Sequence, residues 1–322
     1  MAGRQKKGMF GMDYLVTGGA GFIGSNIVRR LLEDGKSVRV LDNVATGRKR
    51  NIESVIGDIE FHEGDIRNPD DVKKAVSGVS RVLHLAALPS VVRSVEDPVS
   101  AGEVNINGML NMLVASRDEE VERFVFSSSS SVYGDTDVLP KREDMPAAPL
   151  SPYAVQKLTG EHYCRIFREL YGFPALALRY FNVFGPRQNP KSQYSAVIPL
   201  FVEAFRNDRA PTIYGDGEQT RDFTYVADIV QANICACEAP EDACGDVYNA
   251  ACGDRVSVLK LAGIISEIMG KNIAPEHAEP RPGDVRDSQA DSSKAQKALG
   301  WQSQFTLEEG LKETVEYFLS EE

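Results

Sequence analysis

Tyr14-Leu15-Val16-Thr17-Gly18-Gly19-Ala20-Gly21-Phe22-Ile23-Gly24 is the stretch on which the fold turns. A β-prone run enters a glycine-rich turn, and an apolar helical pattern begins where the turn ends. Gly18, Gly21 and Gly24 let the chain turn tightly, bring backbone close to a pyrophosphate and pack the helix on the strand. The helix start, with Phe22 and Ile23 beside Gly24, aims unpaired N–H groups and the positive end of its dipole at that anion. Eighteen residues after Gly24, Asp42 closes Val38-Arg39-Val40-Leu41-Asp42 and is followed by Asn43. A carboxylate there accepts hydrogen bonds from adenosine ribose hydroxyls and repels a 2′-phosphate, which favours NAD over NADP. Arg48, Lys49 and Arg50 downstream pull the other way. Asp65-Ile66, ending a further strand pattern, is a candidate border for the adenine.

Outward from this motif, short β-rich runs alternate with helical patterns. Tyr14–Thr17, Ser37–Leu41, Ile59–His62, Arg81–Leu85, Arg123–Ser127 and Ala175–Arg179 read as strands, mostly apolar throughout, as strands buried on both faces are. Helical patterns lie near Gly24–Asp34, Pro69–Ser77, Val104–Ser116 and Ser151–Leu170. This rhythm predicts an α/β fold with a doubly wound, Rossmann-type parallel sheet over residues 1–181. Beyond it, helices near Val197–Arg206, Val226–Glu238, Val256–Met269, Ser292–Leu299 and Thr306–Phe318 are separated by Gly- and Pro-containing loops. Residues 182–322 therefore read as a smaller, mixed α/β substrate-binding lobe, with some segments crossing back to the first. No internal repeat is visible.

Bulk properties narrow the function classes. At 322 residues the chain suits two packed units, at about 150 residues each. Hydrophobic residues at 42% and charged residues at 26% indicate a globular protein rather than a disordered one. Runs such as Ala196–Val202 are too short to span a bilayer, and Met1–Phe10 lacks the apolar core of a signal peptide. A net charge of −11 argues against nucleic acid or an anionic membrane as partner, while leaving room for an anionic small ligand. The five cysteines, Cys164, Cys235, Cys237, Cys244 and Cys252, contain no CxxC pair. Neither a metal site nor a disulfide framework is expected, and a cytoplasmic location fits.

Ser151-Pro152-Tyr153-Ala154-Val155-Gln156-Lys157 places Tyr153 and Lys157 four apart, on one helix face. A tyrosine with its ordinary pKa near 10 is a poor base at neutral pH. A nearby ammonium, together with a cationic nicotinamide, favours the phenolate and brings it toward the working range. Spacing alone carries little weight, because such pairs arise often by chance. Behind a dinucleotide fingerprint and the serine-rich strand end Ser127–Ser131, the pair reads as proton-transfer machinery.

On these residues the chain resembles the extended short-chain dehydrogenase/reductases, and among them the nucleotide-sugar epimerases. The similarity runs through Thr17–Ser25, Asp42-Asn43, His84-Leu85-Ala86-Ala87, Ser127–Gly134 and Tyr153–Lys157. It continues through Arg179-Tyr180-Phe181-Asn182, Gly215-Asp216-Gly217 and Arg221-Asp222-Phe223, nearly the whole chain. The resemblance implies an NAD site that also draws on Leu85, Ala86, Ala87 and Tyr180, and a catalytic set of Ser129, Tyr153 and Lys157. Ser130 and Ser131 either contact substrate or satisfy backbone groups. Asn105 corresponds to a buried asparagine near the family's active site, or else bonds backbone inside the fold. Dehydratases and decarboxylases that resemble this scaffold usually carry an acid beside the catalytic serine or threonine. Ser129–Val132 has none, so oxidation followed by re-reduction is the expected chemistry.

The same resemblance puts a nucleotide sugar on the second lobe. Arg221 and Arg281 are placed on its diphosphate, because guanidinium forks match phosphate oxygens. Asp284 holds Arg281 or a ribose hydroxyl, and Tyr214 is a candidate to stack on uracil. Asn182 meets the substrate near its glycosyl phosphate, and Ala196 and Val197 line the nucleotide side. Arg187 belongs to a Gly-Pro turn with no separate role assigned. Ser288 discriminates most. Epimerases confined to plain hexoses carry a large tyrosine there, whereas those similar to UDP-N-acetylglucosamine 4-epimerase carry a small residue. A serine leaves volume for a 2-acetamido group. The expected reaction is interconversion of UDP-N-acetylhexosamines through a transient 4-keto sugar. UDP-glucose, dual-specificity and UDP-glucuronate epimerases, or a non-catalytic NAD sensor, are the alternatives. The resemblance further implies a homodimer built on the Asn105–Ser116 and Ser151–Leu170 regions.

Overall fold

The computed structural model describes residues 11–189, 196–280 and 286–320. Six of the expected strands form within two residues of their predicted limits: β1 (Met12–Thr17), β2 (Val38–Asp42), β3 (Glu60–Glu63), β4 (Val79–His84), β5 (Arg123–Ser129) and β6 (Ala175–Tyr180). A seventh, Val247–Ala250, was not legible in the sequence and extends the sheet beside β6, giving the order Val247–Ala250, β6, β5, β4, β1, β2, β3. The β1–β2, β1–β4, β2–β3 and β4–β5 pairings are all parallel. Their continuous apolar runs have the cause anticipated: Leu15, Val16, Val40, Val82, Leu83 and Val125 are fully buried.

The chain divides into two compact units. The first comprises residues 1–128, 151–177 and 236–246, and the second 129–150, 178–235 and 247–322. In the first, the helix Phe22–Glu33 follows β1, and Pro69–Val76 starts on an Asn68 cap that accepts the Asp70 N–H. The Pro152–Tyr171 helix is set at both ends. Ser151 caps its N-terminus and Pro152 occupies the first turn, while Gly172 closes it in the left-handed region. Gly160 lets this helix lie directly on β5, because a Cβ there would stand 2.5 Å from the Phe126 ring.

The pattern read as one helix over Val104–Ser116 is instead a π-helical turn, Glu103–Gly108, running into an α-helix, Met109–Asp118. Two short helices precede it, Val91–Glu96 and Pro98–Gly102.

The second unit is mixed α/β, and it takes in residues 129–150 from the span expected to form the first lobe. Its small strand pairs join Val183–Phe184 with Thr224–Tyr225, Thr220–Arg221 with Val256–Ser257, and Thr212–Tyr214 with Glu276–Ala278. Its core holds an aromatic chain in which Phe184 meets Tyr225 at 5.6 Å between centroids and Tyr225 meets Phe305 at 5.0 Å. Among the described residues no helix is long and apolar enough to cross a membrane, and no group of three potential ligands could hold a metal ion. All five cysteines carry free thiols.

Candidate active site

The glycine turn after β1 is closed as tightly as its sequence demands. Gly18 has φ of +71°, and a Cβ on it would stand 2.9 Å from the Ala86 backbone nitrogen. This draws the Leu85-Ala86-Ala87 segment against the turn. A Cβ on Gly21 would lie 3.0 Å, and one on Gly24 2.2 Å, from the Gly18 carbonyl oxygen. The helix that starts at Phe22 and Ile23 has no side-chain cap at Gly21 and no acidic residue in its first turn. Its leading N–H groups and dipole thus face a bare backbone cradle, a fitting seat for a dinucleotide pyrophosphate.

Asp42 ends β2 with little exposure. Its carboxylate accepts the Ala20 N–H at 2.9 Å and the Val44 N–H at 2.8 Å, while burial pushes its pKa up. Asn43 reaches Asp65 at 2.9 Å, and the Arg67 guanidinium holds the Asp65 carboxyl down to about 2. Ile66 packs where a Cβ on Gly108 of the π-helical turn would otherwise stand, 2.6 Å away. Asn105, in the same turn, accepts the Leu88 N–H at 2.8 Å and donates to the Leu88 carbonyl and to Gln156 Oε1. Both ends of its amide are engaged, so it ties the segment after β4 to the Pro152–Tyr171 helix.

Tyr153 and Lys157 lie one turn apart on that helix. Lys157 Nζ sits 5.8 Å from the Tyr153 ring centroid and 4.9 Å from that of Phe126, and donates to the Ser127 carbonyl at 2.6 Å. Burial draws the ammonium down to about 8, and the Glu161 charge opposes that fall. His84 is buried beside it, depressed to about 3 by burial and by the Lys157 charge, and its Nδ1 contacts Thr17 Oγ1 at 2.8 Å. The arrangement supplies one cation, held by backbone, next to one partly exposed phenol.

In the second unit, Ser129 Oγ accepts the Ser131 N–H at 3.2 Å, which leaves its own hydrogen to be donated elsewhere. Ser130 opens the 3₁₀ turn Ser130–Tyr133, and Ser131 Oγ is buried with no partner among the described residues. Tyr180 donates to Asn233 at 2.9 Å in the interior. A cavity of about 260 Å³ lies wholly within this unit. Asn182, Ala196, Val197, Tyr214 and Arg221, all named from sequence, line it together. Phe201, Gln219 and Phe223 complete walls that sequence reasoning did not assign.

Arg221 donates to the Thr220 and Arg286 carbonyls, and Asn182 adopts a φ of +28°. Ser288 accounts for that posture. Its hydroxyl oxygen accepts from Asn182 Nδ2 at 3.1 Å and from the Asp222 N–H at 3.3 Å. Asp222 is fully buried, its pKa pushed up to about 6 by burial, and it gathers the Gly253 and Ala290 N–H groups and the Cys252 thiol. Arg281 and Asp284 lie outside the described residues.

Known proteins match both sequence and fold. The profile of the NAD dependent epimerase/dehydratase family matches residues 14–251. A UDP-glucose 4-epimerase of Mycolicibacterium smegmatis is 40% identical over 311 residues, covering 95% of this chain and 98% of the relative. The solved UDP-N-acetylglucosamine 4-epimerase of Methanobrevibacter ruminantium, in complex with UDP-N-acetylmuramic acid, is 40% identical with a TM-score of 0.92, covering 98% of this chain and all of the other. The UDP-glucose 4-epimerase of Thermotoga maritima, solved with UDP-glucose, is 39% identical with a TM-score of 0.90, covering 96% and 99%.

Proposed function

The chain belongs to the NAD dependent epimerase/dehydratase family, and from that premise we propose that it is a UDP-N-acetylglucosamine/UDP-N-acetylgalactosamine 4-epimerase. Tyr153, with Lys157 beside it and Ser129 bridging to the sugar, removes the proton of the 4-hydroxyl and later returns it. NAD, when bound, supplies the acceptance and return of hydride; Gly18, Gly21 and Gly24 hold its pyrophosphate and Asp42 its adenosine ribose. Arg221, joined by Arg281, anchors the substrate diphosphate while the 4-keto sugar turns over. The second unit takes the nucleotide sugar through the cavity lined by Asn182, Ala196, Val197 and Tyr214.

The observation that carries the sugar preference is Ser288. Its small side chain bonds directly to Asn182, a wall residue of the cavity. A tyrosine at 288 would fill the space beside that wall and collide with a 2-acetamido group. Ser288→Tyr is expected to lower kcat/KM for UDP-N-acetylglucosamine by about 100-fold and to leave that for UDP-glucose within about threefold. A competition assay with both substrates measures the ratio. Equal losses on the two would assign the preference to another residue. A dual-specificity enzyme is the second reading, favoured by the presence of UDP-glucose 4-epimerases among its relatives.

We further propose a cytoplasmic homodimer; the free thiols suit a reducing compartment. Leu170 (69% exposed) and Val155 on the Pro152–Tyr171 helix, with Val95 and Val99 (72% exposed) on the short helices before it, present apolar surface in the first unit. A second copy of the same face is its natural cover. Leu170→Glu combined with Val99→Glu should convert a species of twice the chain mass to one of single mass by light scattering. An unchanged mass would place the interface elsewhere.

A further inference from the structure

Glu161 has no part in the chemistry assigned above, yet it extends the line of Tyr153 and Lys157 into the interior. Tyr153, Lys157 and Glu161 follow at i, i+4 and i+8 on one helix, so they stand one above another on a single face. Lys157 is 5% exposed and Glu161 8%. Carboxylates are almost never buried without partners. Here the Ser128 hydroxyl donates to Glu161 Oε1 at 2.5 Å. From the preceding residue of β5, the Ser127 carbonyl accepts from Lys157 at 2.6 Å. Two successive strand residues thus grip two successive residues of the stripe, one as acceptor and one as donor.

Beside Lys157 and Glu161 in this stripe stand the titratable groups of His84 from β4 and of Cys164 on the helix itself. His84, depressed to about 3, is neutral at physiological pH, and burial together with the Glu161 charge raises the Cys164 thiol, which stays protonated. Glu161 is therefore the source of negative charge that offsets the desolvation of Lys157. We propose that Glu161, clamped by Ser128, is a positioning residue that keeps the Lys157 ammonium charged and directed at the end of β5, and so sustains proton transfer at Tyr153. This rests on the reading of Tyr153 as the base.

Removing the carboxylate leaves burial unopposed, so Lys157 gives up its proton at lower pH and the alkaline limb of activity moves down with it. The test compares full-length, NAD-loaded wild type with Glu161→Gln, Glu161→Asp and Ser128→Ala. One readout is the pH profile of kcat on UDP-N-acetylglucosamine. The other needs no turnover: the pH midpoint at which the Lys157 amine becomes reactive to isotope-labelled acetic anhydride, read by mass spectrometry. Glu161→Gln should lower both midpoint and limb by about one pH unit. It should also cost about tenfold in kcat at alkaline pH with KM changed less than about twofold. Glu161→Asp, which keeps the charge, should recover most of this, and Ser128→Ala should fall between. A role confined to stability would lower the melting temperature and leave midpoint and limb in place; that result overturns the proposal. If Glu161→Gln does not fold, Ser128→Ala decides by the same two readouts. Full turnover in Tyr153→Phe would refute the reading of Tyr153 as the base, while the labelling midpoint still reports on Glu161.

Discussion

Tyr153→Phe is expected to lose about 10³-fold in kcat, the scale of a positioned acid–base group, while keeping its fold and its bound NAD. The substitution removes one oxygen from a partly exposed ring and leaves the helix untouched. Lys157 keeps its bond to the Ser127 carbonyl, since that bond does not involve the phenol. Ser129, whose hydroxyl oxygen accepts the Ser131 N–H, is not expected to replace the lost group, because an alcohol is a weak base without a partner to activate it. KM for the nucleotide sugar should move little, as Arg221 and Tyr214, proposed to hold its diphosphate and uracil, lie in the second unit. Turnover comparable to wild type would remove Tyr153 from the mechanism. A loss of bound NAD with a lowered melting temperature would instead mark it as structural.

The second large effect is expected at Gly24. In most helices replacing glycine with alanine stabilises, by roughly 1 kcal/mol. Here the sign reverses. The new Cβ would stand 2.2 Å from the Gly18 carbonyl oxygen and 2.9 Å from the Gly18 carbonyl carbon and Gly19 Cα, all of them backbone with no side chain to swing aside. Either the helix lifts from the turn or the turn opens, and both spoil the cradle. Overpacking of this kind costs about 1–3 kcal/mol, and displaced N–H groups should cost the protein its bound NAD. Gly263 in the Val258–Ile268 helix provides the contrast, for a Cβ there meets nothing within 4 Å. Gly263→Ala should hold or raise the melting temperature with NAD content unchanged. Full NAD content in Gly24→Ala would show that the turn is not the pyrophosphate seat.

Much of the fold was legible because the physics that sets it is local. Strands buried on both faces are largely apolar throughout, and β1, β4, β5 and β6 show it, whereas β3 (Glu60–Glu63), at the sheet edge, is polar and only partly covered. The helices Val197–Arg206 and Val226–Glu238 have the limits their apolar spacing predicts. The π-helical turn at Glu103–Gly108 was hidden for a physical reason. One inserted residue shifts the register without disturbing the apolar content, and only the bonds made by Asn105 show why the turn bulges there. Strand Val247–Ala250 escaped because its four residues join the sheet far along the chain from β6, and short segments lack period.

The candidate site divides similarly. Asn182, Ala196, Val197, Tyr214 and Arg221 were named from motifs, but that they enclose one cavity follows from tertiary packing alone. Asp222 belongs to the Arg221-Asp222-Phe223 motif, whereas its burial and its grip on Gly253 and Ala290 depend on loops that sequence cannot align. Glu161 could have been found: it continues the four-residue spacing from Tyr153 through Lys157, and a carboxylate on that face required an explanation.

Epimerisation by this site requires the sugar to be oxidised and then reduced again at one carbon. UDP-N-acetylglucosamine carrying deuterium at C4, incubated in ordinary water and followed by NMR, tests this directly. The product should be UDP-N-acetylgalactosamine that still bears its deuterium at C4, with no net reduction of NAD. Epimerised product bearing solvent hydrogen at C4, or a 4-keto sugar accumulating with reduced cofactor, would contradict it.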